Sequence, residues 1–359
     1  MRLKTNTWNI DQMNRHLIII LASVVALSCS TKDKVYQNPV WDMAAPDPTV
    51  IRSSNGKYYM YTTNGNDPER KMCNIQVLES KDLVHWKHLG DALPEKPTWA
   101  SNTQNFWAPH VIEANGKYYL YFSGEPDNEY KTGKDLGLCL AVAISDKPQG
   151  PFKESGKPMI SGDGFINIDP MVFKDPLSNK YYMYWGSGFE PLKVRELDES
   201  LTSFKEDSPT VELVKPFQSS YQFLVEGSWV LYNDGFYYLF YSGDNCCGER
   251  AHYAVMVARS DSPLGPFEVL KKEKEGDCPI LEYDDKWLAP GHNSVVEDGE
   301  GKYWIVYHAI DRNDRWNDPK TQTGDKRVVL IDELTFNDGW PVVGDGTPSE
   351  SIMTAPSRK

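Results

Sequence analysis

"NGKYYLYFSG", residues 115–124, sets an Asn-Gly pair ahead of a run in which aromatic and aliphatic residues alternate. Asn and Gly accept the positive φ of a tight turn, and the run behind them suits a strand, so the stretch reads as the centre of a β-hairpin. The same text recurs as "NGKYYMYTTNG" at 55, "NKYYMYWGSG" at 179, "DGFYYLFYSG" at 234 and "GKYWIVYHA" at 301. Its recurring Tyr falls at 58, 118, 181, 237 and 303, giving periods of 60, 63, 56 and 66 residues. A short apolar strand precedes each turn ("TVIRSS", "HVIEA", "MVFKD", "WVLYN", "SVVED"), and "SKDLVHW", "SDKPQGPF" and "SDSPLGPF" follow three of the second strands. That makes about four strands per repeat. Helical periodicity is nearly absent. Solenoid repeats run roughly 20–50 residues, shorter than these. Five units of four antiparallel strands predict an all-β, five-bladed β-propeller. "RVVLIDELTFNDGWPVV" at 327–343 is expected to complete the last blade beside the first.

The chain has 359 residues, 40% hydrophobic and 25% charged, enough to bury a large core. A formal net charge of -13 without a basic cluster disfavours nucleic acid as a partner and suits a neutral ligand. The 20 Tyr and 11 Trp fit core packing and also stacking on sugar faces.

"MNRHLIIILASVVALSCS", starting at Met13, reads as an export signal: a basic start at Arg15, an apolar run from Leu17 to Leu27, then small residues. Ala26-Leu27-Ser28-Cys29 resembles a bacterial lipoprotein signal, which implies a lipid anchor on Cys29. The expected division is a signal segment at 1–29, a short tether at 30–39 and the propeller at 40–359. The protein is expected to be exported, periplasmic or anchored at the outer membrane. Five cysteines follow Cys29, scattered and odd in number, which argues against a disulfide framework. Vicinal Cys246 and Cys247 are expected as buried thiols or as one end of a longer bridge, because bonding to each other would strain the peptide between them.

Counting back nine residues from the turn glycines Gly56, Gly116, Gly235 and Gly301 gives Asp47, Trp107, Glu226 and His292. In the third repeat Asp169 stands ten before Asn179. The innermost strand of each blade lines the central channel, so these positions should converge at one mouth. Three carboxylates, an imidazole and an indole there predict a mixed polar pocket, with backbones set by Pro in "PDPT" and "IDPM" and by Gly in "VEGSW". Taken singly, each acid is an ordinary turn or strand-end residue; in register the three point to a site where pKa values are pushed apart.

Hydrolysis of a sugar acetal needs a proton for the leaving oxygen and an activated water, and two carboxyl groups on opposite sides of the bond supply both. Glu226 is the candidate general acid, because Val225, Trp229 and the apolar strand beyond would desolvate its charged form. Asp47 is then the general base and Asp169 the residue that tunes and orients Glu226.

The residues that carry this chemistry resemble glycoside hydrolase family 43, five-bladed propellers acting on α-L-arabinofuranosides and β-D-xylosides. The carriers are "APDPTVI" at 45, "FWAPHVIEANGKYYLYFSG" at 106, "INIDPMVF" at 166, "VEGSW" at 225, "GHNSVV" at 291 and "DGWPVV" at 338. The resemblance implies an inverting mechanism with Asp47 as base, Asp169 as pKa modulator and Glu226 as acid. It also implies that His292 helps hold an ion, often calcium, in the channel, largely through waters since calcium prefers oxygen; a hydrogen-bonded channel histidine is the alternative. No cofactor is required for the chemistry. Trp107 resembles the residue that packs on the sugar, against a core role. Trp229 and Arg312, the latter in "HAIDRND", are further candidate substrate contacts. "YSGDNCCGERAHYAVMVARSDSPLGPF" at 241 resembles arabinan-cleaving members and favours arabinan or another arabinose-containing plant polysaccharide as partner, with xylan or xylo-oligosaccharides as the alternative. Attack at chain ends or internally depends on loops such as 125–137 and 312–326. A sugar-binding propeller without catalysis would need neither Asp47 nor Glu226. Fructan-cleaving propellers carry Arg-Asp-Pro and Glu-Cys where this chain has Ile168-Asp169-Pro170 and Glu226-Gly227.

Overall fold

The computed structural model describes residues 35–64, 71–131, 137–162, 164–186, 189–218, 221–271 and 278–358. The signal segment and Cys29 lie outside them. Five antiparallel four-stranded sheets, four of them built from consecutive strands and the fifth interrupted by a small hairpin, account for the fold. No α-helix occurs among the described residues, and none of their helices is long and apolar enough to cross a membrane. The first strands of the five sheets are Thr49–Arg52, Phe106–Ala114, Met171–Lys174, Val225–Asn233 and Trp287–Glu297. Each touches the first strands of the two neighbouring sheets, so the five close a ring. This is the expected five-bladed propeller, here numbered blades I to V.

The repeated Tyr-rich text forms the second strand of every blade, buried because it lies between the channel strand and the third strand while facing neighbouring blades above and below. Between first and second strands, only blades II and IV have two-residue hairpins, Asn115-Gly116 and Asp234-Gly235, with positive φ at both positions. In blades I and V the Ser53–Lys57 and Asp298–Lys302 backbone bonds leave three-residue turns, and in blade III Asp175–Lys180 leaves four. Arg327–Asn337 and Trp340–Val343 form the third and fourth strands of blade V, as expected. An extra hairpin, Trp316–Asp318 with Thr323–Asp325, projects between its second and third strands.

Two expectations are corrected. The proposed tether is not free over its last residues: Val35–Tyr36 pairs with Met353–Thr354, Tyr36 donates to Ile331 O, and buried Asn38 bonds to Ile331. These contacts, with the Val40 and Trp41 bonds to Val329, bring the two ends of the described chain together at blade V. Cys246 and Cys247 are bonded to each other, and neither is fully buried. They sit in the irregular segment after the second strand of blade IV, where adjacent side chains are not held on opposite faces of a sheet. Of the other described cysteines, Cys73 and Cys139 are buried and Cys278 is half-buried.

Candidate active site

The channel strands all begin at one end of the ring, and there the backbone of every blade does the same thing. Asp47, Ala108, Asp169, Gly227 and His292 have φ of 57, 44, 57, 63 and 47°. Left-handed geometry at four residues with side chains is strain of the kind that clusters at functional sites. The residue before each is held by the second strand of the same blade: Thr63 N–H donates to Pro46 O and Gly186 N–H to Ile168 O, while Trp107 faces Ser123, Glu226 faces Ser242 and Gly291 faces His308. Glu226 and Trp107 therefore stand one residue ahead of Asp47, Asp169 and His292. Counting from the turn glycines hides this offset because the turns of blades II and IV are shorter than the others.

A second repeated contact fixes the left-handed residues. The fifth residue after the recurring Tyr accepts the amide of the next blade's left-handed residue. Ala108 N–H donates to Thr63 Oγ1 (2.7 Å), Asp169 N–H to Ser123 Oγ (3.0 Å), His292 N–H to Ser242 Oγ (2.7 Å) and Asp47 N–H to His308 Nδ1 (3.1 Å). Blade III has Gly186 at this place and no side chain to offer. There Gly227 N–H donates to Asp169 Oδ2 instead, at 3.0 Å.

The three acids lie around one mouth. His292 Nδ1 lies 3.6 Å from Asp47 Oδ1 and 3.8 Å from Asp169 Oδ2, and Asp169 reaches the amide next to Glu226. All three carboxyl groups are buried. Their surroundings differ in sign. Burial alone would raise the Asp47 carboxyl, but the Arg327 guanidinium at 2.9 Å, with Thr63 Oγ1 donating at 2.6 Å, outweighs it and holds Asp47 well below the usual carboxylate range. Burial, then the charges of Glu226 and Asp47, pushes Asp169 well above that range. Asp169 and Glu226 thus behave as a pair that retains a proton where an isolated carboxyl would lose it. Glu226 Oε1 accepts from Tyr253 Oη at 2.6 Å. Burial lowers the pKa of both His292 and His308, so both imidazoles are neutral.

Two glycines allow this crowding. A Cβ on Gly227, left-handed at φ 63°, would sit 3.2 Å from His292 Nδ1, and one on Gly291 would overlap the Tyr253 ring. Either would displace a partner of the acids.

The other expected contacts divide. Trp107 is half-buried at the mouth, its ring 6.0 Å from Phe165, and is available to a ligand. Trp229 is 9% exposed, packs edge-on against His110 at 5.4 Å and lines a cavity of about 460 Å³ at the far end of the channel. It is a core residue, because the bulge between Glu226 and Trp229 turns it down the channel. Arg312 is exposed and tied to Asp284 O; the arginine on an acid is Arg327. For calcium held directly by the protein, the donor set does not fit: among the described residues no group of three or more His, Cys, Asp or Glu is placed to hold an ion. A hard cation needs several oxygen ligands. Arg327, Tyr253, Thr63 and His308 escaped the sequence reading; Thr63 and His308 share the position of Ser123 and Ser242 in the repeat and could have been found there.

The chain is similar to known proteins in sequence and in fold. The profile of Glycosyl hydrolases family 43 matches residues 36–341. The β-D-galactofuranosidase xynD of Aspergillus niger is 30% identical over 335 residues, covering 88% of this chain and 87% of that one. The extracellular endo-α-(1->5)-L-arabinanase 1 of Bacillus subtilis is 30% identical over 314 residues, covering 82% and 86%. The crystal structure of a thermostable family-43 glycoside hydrolase superposes with a TM-score of 0.71 at 30% identity, over 89% of this chain and 99% of that one. The chain belongs to glycosyl hydrolase family 43 and is a glycoside hydrolase.

Proposed function

We propose that the protein cleaves α-L-arabinofuranosidic linkages of arabinan and related arabinose-containing plant glycans, with inversion at the anomeric carbon. The observation that carries the reading is the opposed electrostatics of one mouth. Asp47 is kept ionised by Arg327, as a base must be, while Asp169 and Glu226 are a buried pair that holds a proton. Asp47 takes the proton of the attacking water. Glu226 delivers the pair's proton to the leaving oxygen, and Asp169, bonded to Gly227 N–H, orients it and raises its proton affinity. Trp107 packs on the sugar.

The arabinanase relative supports arabinan. The galactofuranosidase relative, equally similar, supports a second reading in which the ring is still a furanose but the sugar is galactose. The extracellular relatives support export; the sequence pattern of residues 13–29 is the support for residues 1–29 as the signal and Cys29 as the lipid anchor. The test is product analysis on linear arabinan, arabinoxylan, arabino-oligosaccharides, galactofuranosides and xylo-oligosaccharides. Arabinose or arabino-oligosaccharides released from arabinan at the highest kcat/KM is the expected result. Preference for xylo-oligosaccharides or for galactofuranosides would overturn the sugar assignment.

A further inference from the structure

The channel strands start at the acid mouth and the second strands end there, so every loop that joins second to third strands, or one blade to the next, lies on the catalytic face. Large exposed apolar side chains gather in these loops, among them Phe165, Phe189, Phe217 and Phe223. Phe189 follows the second strand of blade III, and Phe223 stands three residues before Glu226. They are 69% and 56% exposed, and their rings meet edge to face at 5.1 Å and 66°. Two phenyl faces held open to water beside a buried acid are unfavourable unless something covers them.

The loop that presents Phe223 is anchored. Phe217 N–H donates to Gln222 O at 2.8 Å, and buried Gln222 Oε1 accepts from Tyr241 Oη at 2.7 Å. Gly243 lets Tyr221 O approach where any Cβ would collide. Phe223 is therefore presented on a fixed support.

In a ring of five blades, the gap diametrically opposite blade I is the one between blades III and IV. Blade I carries Asp47. Inversion requires water and leaving group on opposite sides of the anomeric carbon, so a leaving group expelled away from Asp47 exits toward the gap flanked by Asp169 and Glu226. Phe189 and Phe223 occupy that gap. We propose that these two phenylalanines form the platform for the sugar on the leaving side of the scissile bond, stacking on its apolar C–H face. The inference rests on the assignment of Asp47 as base and Glu226 as acid.

The test compares Phe189→Ala, Phe223→Ala and the double variant on two substrates. One is the oligosaccharide that the wild type cleaves best in the product panel; the other is the methyl glycoside of the same sugar, whose methanol is too small to reach the platform. The ratio of the two kcat/KM values should fall about fivefold for either single variant and more than about tenfold for the double, chiefly through KM of the oligosaccharide. Phe223→Tyr, which keeps the ring face, should restore most of the ratio. An unchanged ratio in the double variant, or equal losses on both substrates, would overturn the platform. Because the oligosaccharide is chosen by the panel, failure on arabinan sinks the arabinan reading and leaves this comparison intact.

Discussion

Gly227 N–H donates to Asp169 Oδ2 at 3.0 Å, so the residue that follows Glu226 is fastened to the carboxylate that repels it. The bond replaces the hydroxyl or imidazole that serves the same purpose in the other blades, and it exists because Gly186 has no side chain to offer. It couples the two acids mechanically as well as electrostatically.

Burial of Asp169, and after it that repulsion, has a cost in stability. The folded-state pKa of Asp169 is raised, so the native protein keeps a proton that the unfolded chain gives up above its ordinary carboxyl pKa, and stability falls as pH rises through that window. Asp169→Asn removes the charge and keeps an oxygen for Gly227 N–H. It should raise Tm at neutral pH by about 1–3 °C and lower kcat at least about a hundredfold, a trade of activity for stability. Calorimetry paired with steady-state kinetics checks both.

Arg327 sets the acid limb. With its folded pKa depressed, Asp47 stays ionised below the usual carboxylate range, and the stabilisation that this brings is complete above the ordinary carboxyl pKa and is lost progressively as pH falls from there through the depressed value. Arg327→Met removes the nearest positive charge, so Asp47 should protonate at higher pH. The acid limb of kcat/KM should move up by at least about one pH unit. A pH profile with an unmoved acid limb would separate Arg327 from the base.

Gly227→Ala places a Cβ against His292 on a left-handed backbone. The conformational cost is about 1–2 kcal/mol, and the relief is a shift of the segment that carries Glu226. A loss of activity of at least about tenfold with a folded, monodisperse protein is expected from assays and circular dichroism.

Tyr253→Phe deletes the hydroxyl that donates to Glu226 Oε1. Donated to the ionised form of Glu226, such a bond contributes about 1.5–3 kcal/mol and favours that form over the protonated one. The variant should therefore change kcat by roughly tenfold or more and displace the basic limb of the pH profile, which reports the acid. Loss of kcat with an unchanged pH profile would assign Tyr253 to packing alone.

The repeats made the blades legible, since Gly at a turn and a Tyr-rich strand are local signals that survive without tertiary context. They also brought Asp47, Asp169 and His292 to one mouth. Glu226 and Trp107 were identified although they stand one residue out of step, because turn lengths differ between blades and spacing from a turn glycine carries that difference into the count. Arg327 was not legible: it begins the third strand of blade V, and only ring closure brings it to blade I. Tyr253 arrives from a loop, as does Arg312, whose adjacency in sequence to the last repeat was no guide to its place. Trp229 looked like a neighbour of Glu226 until the bulge between them turned it into the core.

The division of labour between Asp47 and Glu226 is tested most directly by varying the leaving group. Kinetics of Glu226→Gln and Asp47→Asn are compared on the preferred oligosaccharide and on the 2,4-dinitrophenyl glycoside of the same sugar, whose phenolate departs without a proton. Glu226→Gln should lose at least about a thousandfold on the oligosaccharide and far less on the dinitrophenyl glycoside, whereas Asp47→Asn should lose heavily on both. Equal losses of Glu226→Gln on the two substrates, or full activity of Asp47→Asn on either, would contradict the account.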